Sequence, residues 1–179
     1  MMVWNAIVLE QLAAGSSDPR ERLPSGLRDR RALFADLDHV FSPDGPNTLL
    51  AIFALDGLHE YRDFYGPPAA RALVVELAAR FASTLGQAGT CYQPREDEFV
   101  ALIDASIPGA TLLPGRCLDA LHQPDPQVTV SATFGDVLLP DDADDPPAAV
   151  RLADQHLSAN SPRRKARRDE VTTPDHPRA

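Results

Sequence analysis

Apolar residues along this chain follow several distinct rhythms, and each predicts a kind of element. Between about Leu27 and Phe41, the residues Leu33, Phe34, Leu37, Val40 and Phe41 form one stripe at helical spacing, which predicts an amphipathic helix. Thr48 to Leu55 is apolar without a break from Leu49 onward, the pattern of a central strand covered on both faces. From Pro68 to Leu85 helical spacing returns at Leu73, Val74, Leu77, Ala78, Phe81 and Leu85. Pro67 and Pro68 suit the first turn of that helix, where no backbone donor is needed, and Gly86 suits its end. Two short strand-like runs follow, Thr90 to Gln93 and Phe99 to Ile103. They flank a polar tip of Pro94, Arg95, Glu96, Asp97 and Glu98, so the stretch reads as a hairpin.

Weaker signals complete the pattern. A helix is predicted around Leu112 to His122, with Pro114 and Gly115 disturbing its start. Val128 to Leu139 reads as a strand, and Ala148 to Ala159 as a last helix after an acidic, proline-rich loop. Met1 to Ala14 reads as a short helix with Val3 and Ile7 on its apolar side, broken by the turn formers from Gly15 to Pro19. This order predicts an α+β fold with a central mixed, largely antiparallel β-sheet surrounded by helices. Three segments follow: an N-terminal helix and linker (1–20), a folded domain (21–160) and a disordered basic tail (161–179). In the tail the composition turns to Ser, Pro, Arg and Lys without apolar periodicity.

Composition narrows the function classes. The 179 residues are 44% hydrophobic, enough for a real core in one domain. A net charge of −9 argues against a general binder of nucleic acid or anionic membrane. The tail has the opposite sign, and its Arg163, Arg164, Lys165, Arg167 and Arg168 are the one stretch suited to nucleic acid, an acidic partner or a lipid surface. The apolar N-terminus contains Glu10 and is too short to span a bilayer, so no stable membrane insertion and a cytoplasmic location are expected. Cys91 and Cys117 lack metal-ligand spacing and read as reduced thiols, and the five histidines are scattered.

Four ordered pieces resemble one family. Ser25-Gly26-Leu27-Arg28-Asp29-Arg30-Arg31-Ala32-Leu33-Phe34 resembles the T-G-L-x-N-R-R-x-x-F opening of GGDEF domains, the diguanylate cyclases. Phe53 to Val74 resembles their F-D-x-D-x-F-K-x-x-N-D-x-x-G-H-x-x-G-D-x-x-L segment without a gap. Arg95-Glu96-Asp97-Glu98-Phe99 stands where the family has G-G-D/E-E-F, and Ala153-Asp154-Gln155-His156-Leu157 resembles its late A-D-x-A-L helix. The likeness runs from about Leu23 to Lys165 and implies a GGDEF, nucleotidyl-cyclase-like fold.

The resemblance also implies a chemistry, and the residues depart from it. Joining two GTP molecules requires a 3′-hydroxyl to attack an α-phosphate, helped by divalent cations held on carboxylates. The family takes one carboxylate from the end of the first strand and one from the hairpin tip. Asp97, with Glu98 beside it, matches the second, but Ala54 stands at the first and Asp56 lies two residues on. If the strand continues, Asp56 shares a face with Ala54 and is the candidate substitute ligand. Arg95 and Glu96 replace the two glycines that let backbone N–H groups approach phosphates. Arg62 and Arg71 stand at the guanine-reading Asn and Asp, and a guanidinium offers donors only. His59 and Ser161 occupy two lysine positions, Lys165 falls where a late Arg lies, and the inhibitory R-x-x-D falls on Gly86 and Gly89.

These departures predict a catalytically inactive GGDEF-like domain, not an enzyme, acting as a regulatory or protein-interaction module in bacterial signalling related to cyclic di-GMP. No cofactor and no catalytic residue is expected. Two alternatives stand beside it. One is a sensor that binds GTP or cyclic di-GMP without turnover through Asp56, Arg62, Arg71, Arg95 and Lys165. The other is an active cyclase with altered metal or base preference, in which case Mg2+ on Asp97 and Asp56 is implied. The expected partner is another protein, a homodimer through the N-terminal helix being one form of it, since the resemblance implies that such a helix often serves as a dimer-forming lead-in.

Overall fold

The uninterrupted apolar run is strand β1, Thr48–Asp56, and it is buried along nearly its whole length. The computed structural model describes residues 25–161; the predicted N-terminal helix and the predicted tail beyond Ser161, Lys165 included, lie outside the described residues. Around β1 the chain lays down α1 (Arg30–Val40), α2 (Leu58–Tyr65), α3 (Pro67–Leu85), β2 (Gly89–Arg95), β3 (Glu98–Asp104), α4 (Leu113–Ala120), β4 (Ser131–Leu139) and α5 (Pro146–Asn160). The sheet order is β2-β3-β1-β4, and each neighbouring pair is antiparallel. The α+β sheet with helices around it is the predicted class.

The two faces of β1 build two cores. Leu49, Ala51, Phe53 and Leu55 face α3 and α4, meeting Leu77, Phe81 and Cys117. Leu50 and Ile52 face α1 and α5, meeting Leu33, Leu37, Val150 and Leu157. Phe53 sits edge-on to Phe81 at 5.1 Å and stacks on Phe134 at 5.5 Å, a geometry favoured by ring quadrupoles. Each such buried side chain contributes roughly 1.5–3 kcal/mol relative to exposure, so β1 anchors both layers.

The structure departs from the predicted elements at four places. Helix α1 begins at Arg30 rather than Leu27, because Leu27–Asp29 runs extended along the outer edge of β2. There the Gln93 N–H donates to the Arg28 carbonyl at 2.8 Å, and Arg28 bridges Tyr92 in parallel. Asp29 then caps α1 by accepting from the Ala32 N–H at 2.8 Å. Helix α2 was not predicted; it buries only Leu58, which leaves no stripe to read. Pro114 starts α4 instead of disturbing it, since it lies in the first turn. Strand β4 begins at Ser131, and Val130 instead exchanges two backbone hydrogen bonds with Gln123.

Helix α5 lies directly on β4 at Gly135, where a Cβ would overlap the Leu157 nitrogen and the Ala153 carbonyl oxygen. Gly135→Ala therefore has to push a helix off a strand. Urea denaturation should show a loss of about 2 kcal/mol or more, whereas an unchanged midpoint would contradict this packing.

Candidate functional site

The hairpin strands run closer to the tip than predicted. Arg95 pairs with Glu98, which leaves only Glu96 and Asp97 in the loop. Two hydrogen bonds hold this loop. The Leu55 N–H, near the end of β1, donates to the Asp97 carbonyl at 2.8 Å. The buried Gln93 side chain donates through Nε2 to the Glu96 carbonyl at 3.2 Å. The tip is thus fixed beside the end of β1 and the start of α2, and Gly57 joins those two elements at φ +87°. A side chain there would strike the Thr129 carbonyl.

Helix α2 then carries Arg62 to the tip, where its Nη2 lies 2.7 Å from Glu96 Oε2. Both side chains are partly exposed, so the pair contributes at most about 1 kcal/mol. Its importance is positional, because each charge answers the other across the mouth of the site. Sequence reasoning treated these two residues separately. Their meeting depends on α2, which the sequence pattern did not reveal.

Strand β1 does continue to Asp56, so Ala54 and Asp56 share a face. Ala54 stands opposite Glu98 on β3 and Thr133 on β4. The Thr133 hydroxyl donates to Asp56 Oδ2 at 3.2 Å. Asp97 is exposed and Glu98 is half-buried. Burial pushes the Glu98 carboxyl above its ordinary range, with Asp97 and Asp154 adding to the rise and Arg95 and Arg30 opposing it. Among the described residues, no group of three or more His, Cys, Asp or Glu side chains stands together as a metal-binding set.

Beside the hairpin, α3 and the end of β2 line a half-open cleft of about 280 Å3. Arg71, Arg95 and Glu96 line it together with Val74, Val75 and Pro94. Arg62 and Arg71, predicted as a set, therefore do different things. Arg62 is paired with the tip, and Arg71 faces the cavity. Phe99 is fully buried in the core, 5.5 Å from Phe81, and serves packing. His59 is exposed beside Asp63 at 3.4 Å, and Ser161 is buried behind α5.

The sequence profile described as "Diguanylate cyclase, GGDEF domain" matches residues 24–167. The chain belongs to the GGDEF domain family. Among curated proteins no significant match is found. Solved structures agree on the fold. The diguanylate cyclase SiaD of Pseudomonas aeruginosa, in complex with its activator SiaC, superposes with a TM-score of 0.69 at 21% identity, over 86% of this chain and 61% of that one. This chain thus spans about three-fifths of SiaD. A sensory box/GGDEF family protein from Caulobacter crescentus gives 0.63 at 28% identity, over 75% and 93% of the two chains. The GGDEF domain of DgcB from Caulobacter crescentus, in complex with c-di-GMP, gives 0.64 at 15% identity, over 82% and 92%.

Sequence reasoning also missed the support beneath this GGDEF hairpin. The Tyr92 hydroxyl donates to Asp36, whose carboxylate also pairs with Arg28, and the Arg28 guanidinium lies 5.4 Å from the Tyr92 ring centroid. A tyrosine inside a strand beside a helix-borne aspartate was the available signal. No helix among the described residues is long and apolar enough to cross a membrane.

The Glu98 shift makes a pH prediction. A carboxyl raised in the folded state favours folding while protonated, so its contribution is complete below the ordinary carboxylate value and is lost as pH rises through the raised one. Glu98→Gln should therefore raise the thermal midpoint at pH 7.5, with the advantage shrinking toward pH 4. A Glu98→Gln midpoint below wild type at pH 7.5 would show that the Arg30 and Arg95 charges dominate instead.

Proposed function

We propose that this GGDEF domain does not synthesise cyclic di-GMP and acts as a regulatory, protein-binding module. The observation that carries the reading is the Arg62–Glu96 ion pair. Its two residues stand where the family resemblance implies a guanine-reading Asn and a phosphate-cradling Gly. Here they bind each other, so a GTP entering the site has to break a 2.7 Å contact and then meets donors where it needs acceptors.

The donor set supports the same reading for the metal. Magnesium takes a near-octahedral shell of hard oxygens and tolerates little misplacement. The side chain at the strand position is the Ala54 methyl, and Asp56 accepts from Thr133 instead. Asp97 is an exposed carboxylate at the tip. With a methyl group at the strand position, these residues do not fit a site that needs a carboxylate from each element. Catalysis in such a domain rests on positioning and charge stabilisation, and both are altered. SiaD, a diguanylate cyclase of the same fold, is seen in complex with a protein activator, so this fold can offer a surface to a protein partner.

A sensor that binds nucleotide without turnover is the second reading, favoured by the cavity flanked by Arg71 and Arg95. Two measurements separate these readings from each other and from an active cyclase. Incubation of the full chain with GTP and magnesium should yield no cyclic dinucleotide above a protein-free blank. Product that disappears in Asp97→Ala would sink the inactive reading. Calorimetry with GTP, ATP and cyclic di-GMP, with and without magnesium, should show no saturable heat; micromolar GTP binding without product would establish the sensor instead.

A further inference from the structure

The cavity beside the hairpin has a chemistry of its own, whether or not the domain ever turns over a nucleotide. Its floor is apolar, made by Val74, Val75 and Pro94. Val75 leaves 39% of its surface uncovered there, apolar area that helix packing does not use. Two guanidinium groups, Arg71 and Arg95, stand at its rim. Arg71 is exposed and has no hydrogen-bond or ion-pair partner among the described residues. The one carboxylate in the wall, Glu96, is held by Arg62 at 2.7 Å.

The geometry points to a small-molecule site that takes a monoanionic carboxylate carried on a flat apolar body, of the size of a substituted benzoate. A guanidinium presents only donors, so the inserted end of the ligand has to accept. The planar fork of Arg71 matches a carboxylate through two parallel N–H donors, a geometry that gives direction as well as charge. Because Glu96 is held by Arg62, Arg71 sets the charge at the rim, and the apolar surface beside it favours a carboxylate carried on a ring over a bare phosphate. Valine and proline side chains provide a surface on which a ring can lie. The cavity is at the small end of ligand pockets, which run from roughly 300 Å3 upward, so it suits a single ring with substituents.

The test uses the full chain and three probes: benzoate, its neutral analogue benzamide, and inorganic phosphate, each followed by amide chemical shifts and calorimetry. Benzoate should bind saturably in the millimolar range and move the amide signals of Val74, Val75 and Glu96. Arg71→Gln should weaken it by about tenfold or more, as loss of a bidentate charge-assisted pair requires, while the thermal midpoint stays unchanged because this side chain is exposed. Val75→Glu, which brings a repelling charge to the floor, should abolish binding with Arg71 still in place. Benzamide binding as tightly as benzoate would reduce the site to an apolar cleft. Phosphate binding as tightly would reduce it to a bare cationic spot. Either result, or no saturable benzoate binding, overturns the inference. None of these outcomes bears on whether the domain makes cyclic di-GMP, so the two proposals fail separately.

Discussion

Strand β1 must be buried on both faces and paired along both edges, and the placement of the candidate site follows from that requirement. With β3 on one side and β4 on the other, its register is held by a long row of antiparallel partners. A slip of one residue would turn Phe53 and Leu55 out of one core and Leu50 and Ile52 out of the other. The ladder to β3 ends at Ala54 and Glu98, so the next donor, Leu55 N–H, goes to the hairpin loop at Asp97. The tip is therefore sewn to the end of the strand. Gly57 then turns the chain into α2, which delivers Arg62 to that tip.

Charged side chains surround the hairpin on this scaffold. Cations stand on both flanking helices, Arg62 on α2 and Arg71 on α3, and Glu96 places a carboxylate at the tip. The Arg62–Glu96 pair is too exposed to stabilise the fold by more than about 1 kcal/mol, so it is better understood as setting the electrostatics of the cleft. Its effect is to neutralise the tip and leave Arg71 facing the cavity. On the opposite face Glu98 carries the cost of partial burial, across from Ala54 in the β1–β3 register.

Much of the fold was legible because its signals are local or periodic. The apolar run of β1, the helical stripe of α3 with its proline start and the two strands around Arg95–Glu98 can each be read from neighbouring residues. Helix α2 could not, since Leu58 is its only buried residue and its aromatic and charged side chains carry no stripe. The extended Leu27–Asp29 segment cannot be told from the helix that follows it by local pattern, because its reason for being extended is a partner far along the chain, β2. The site divides in the same way. The residue types at Ala54, Arg62, Arg71, Arg95 and Glu96 were readable, but the ion pair and the cavity wall are tertiary facts. So are the Asp36–Tyr92–Arg28 network and the Thr133 contact with Asp56.

A crystal structure of the full chain grown with a non-hydrolysable GTP analogue and magnesium distinguishes a cleft blocked by its own side chains from one open to nucleotide. A blocked cleft keeps the Arg62–Glu96 contact intact and shows no nucleotide density at the hairpin. An ordered triphosphate along Arg95–Glu98, with a metal held between Asp97 and Asp56, would contradict it.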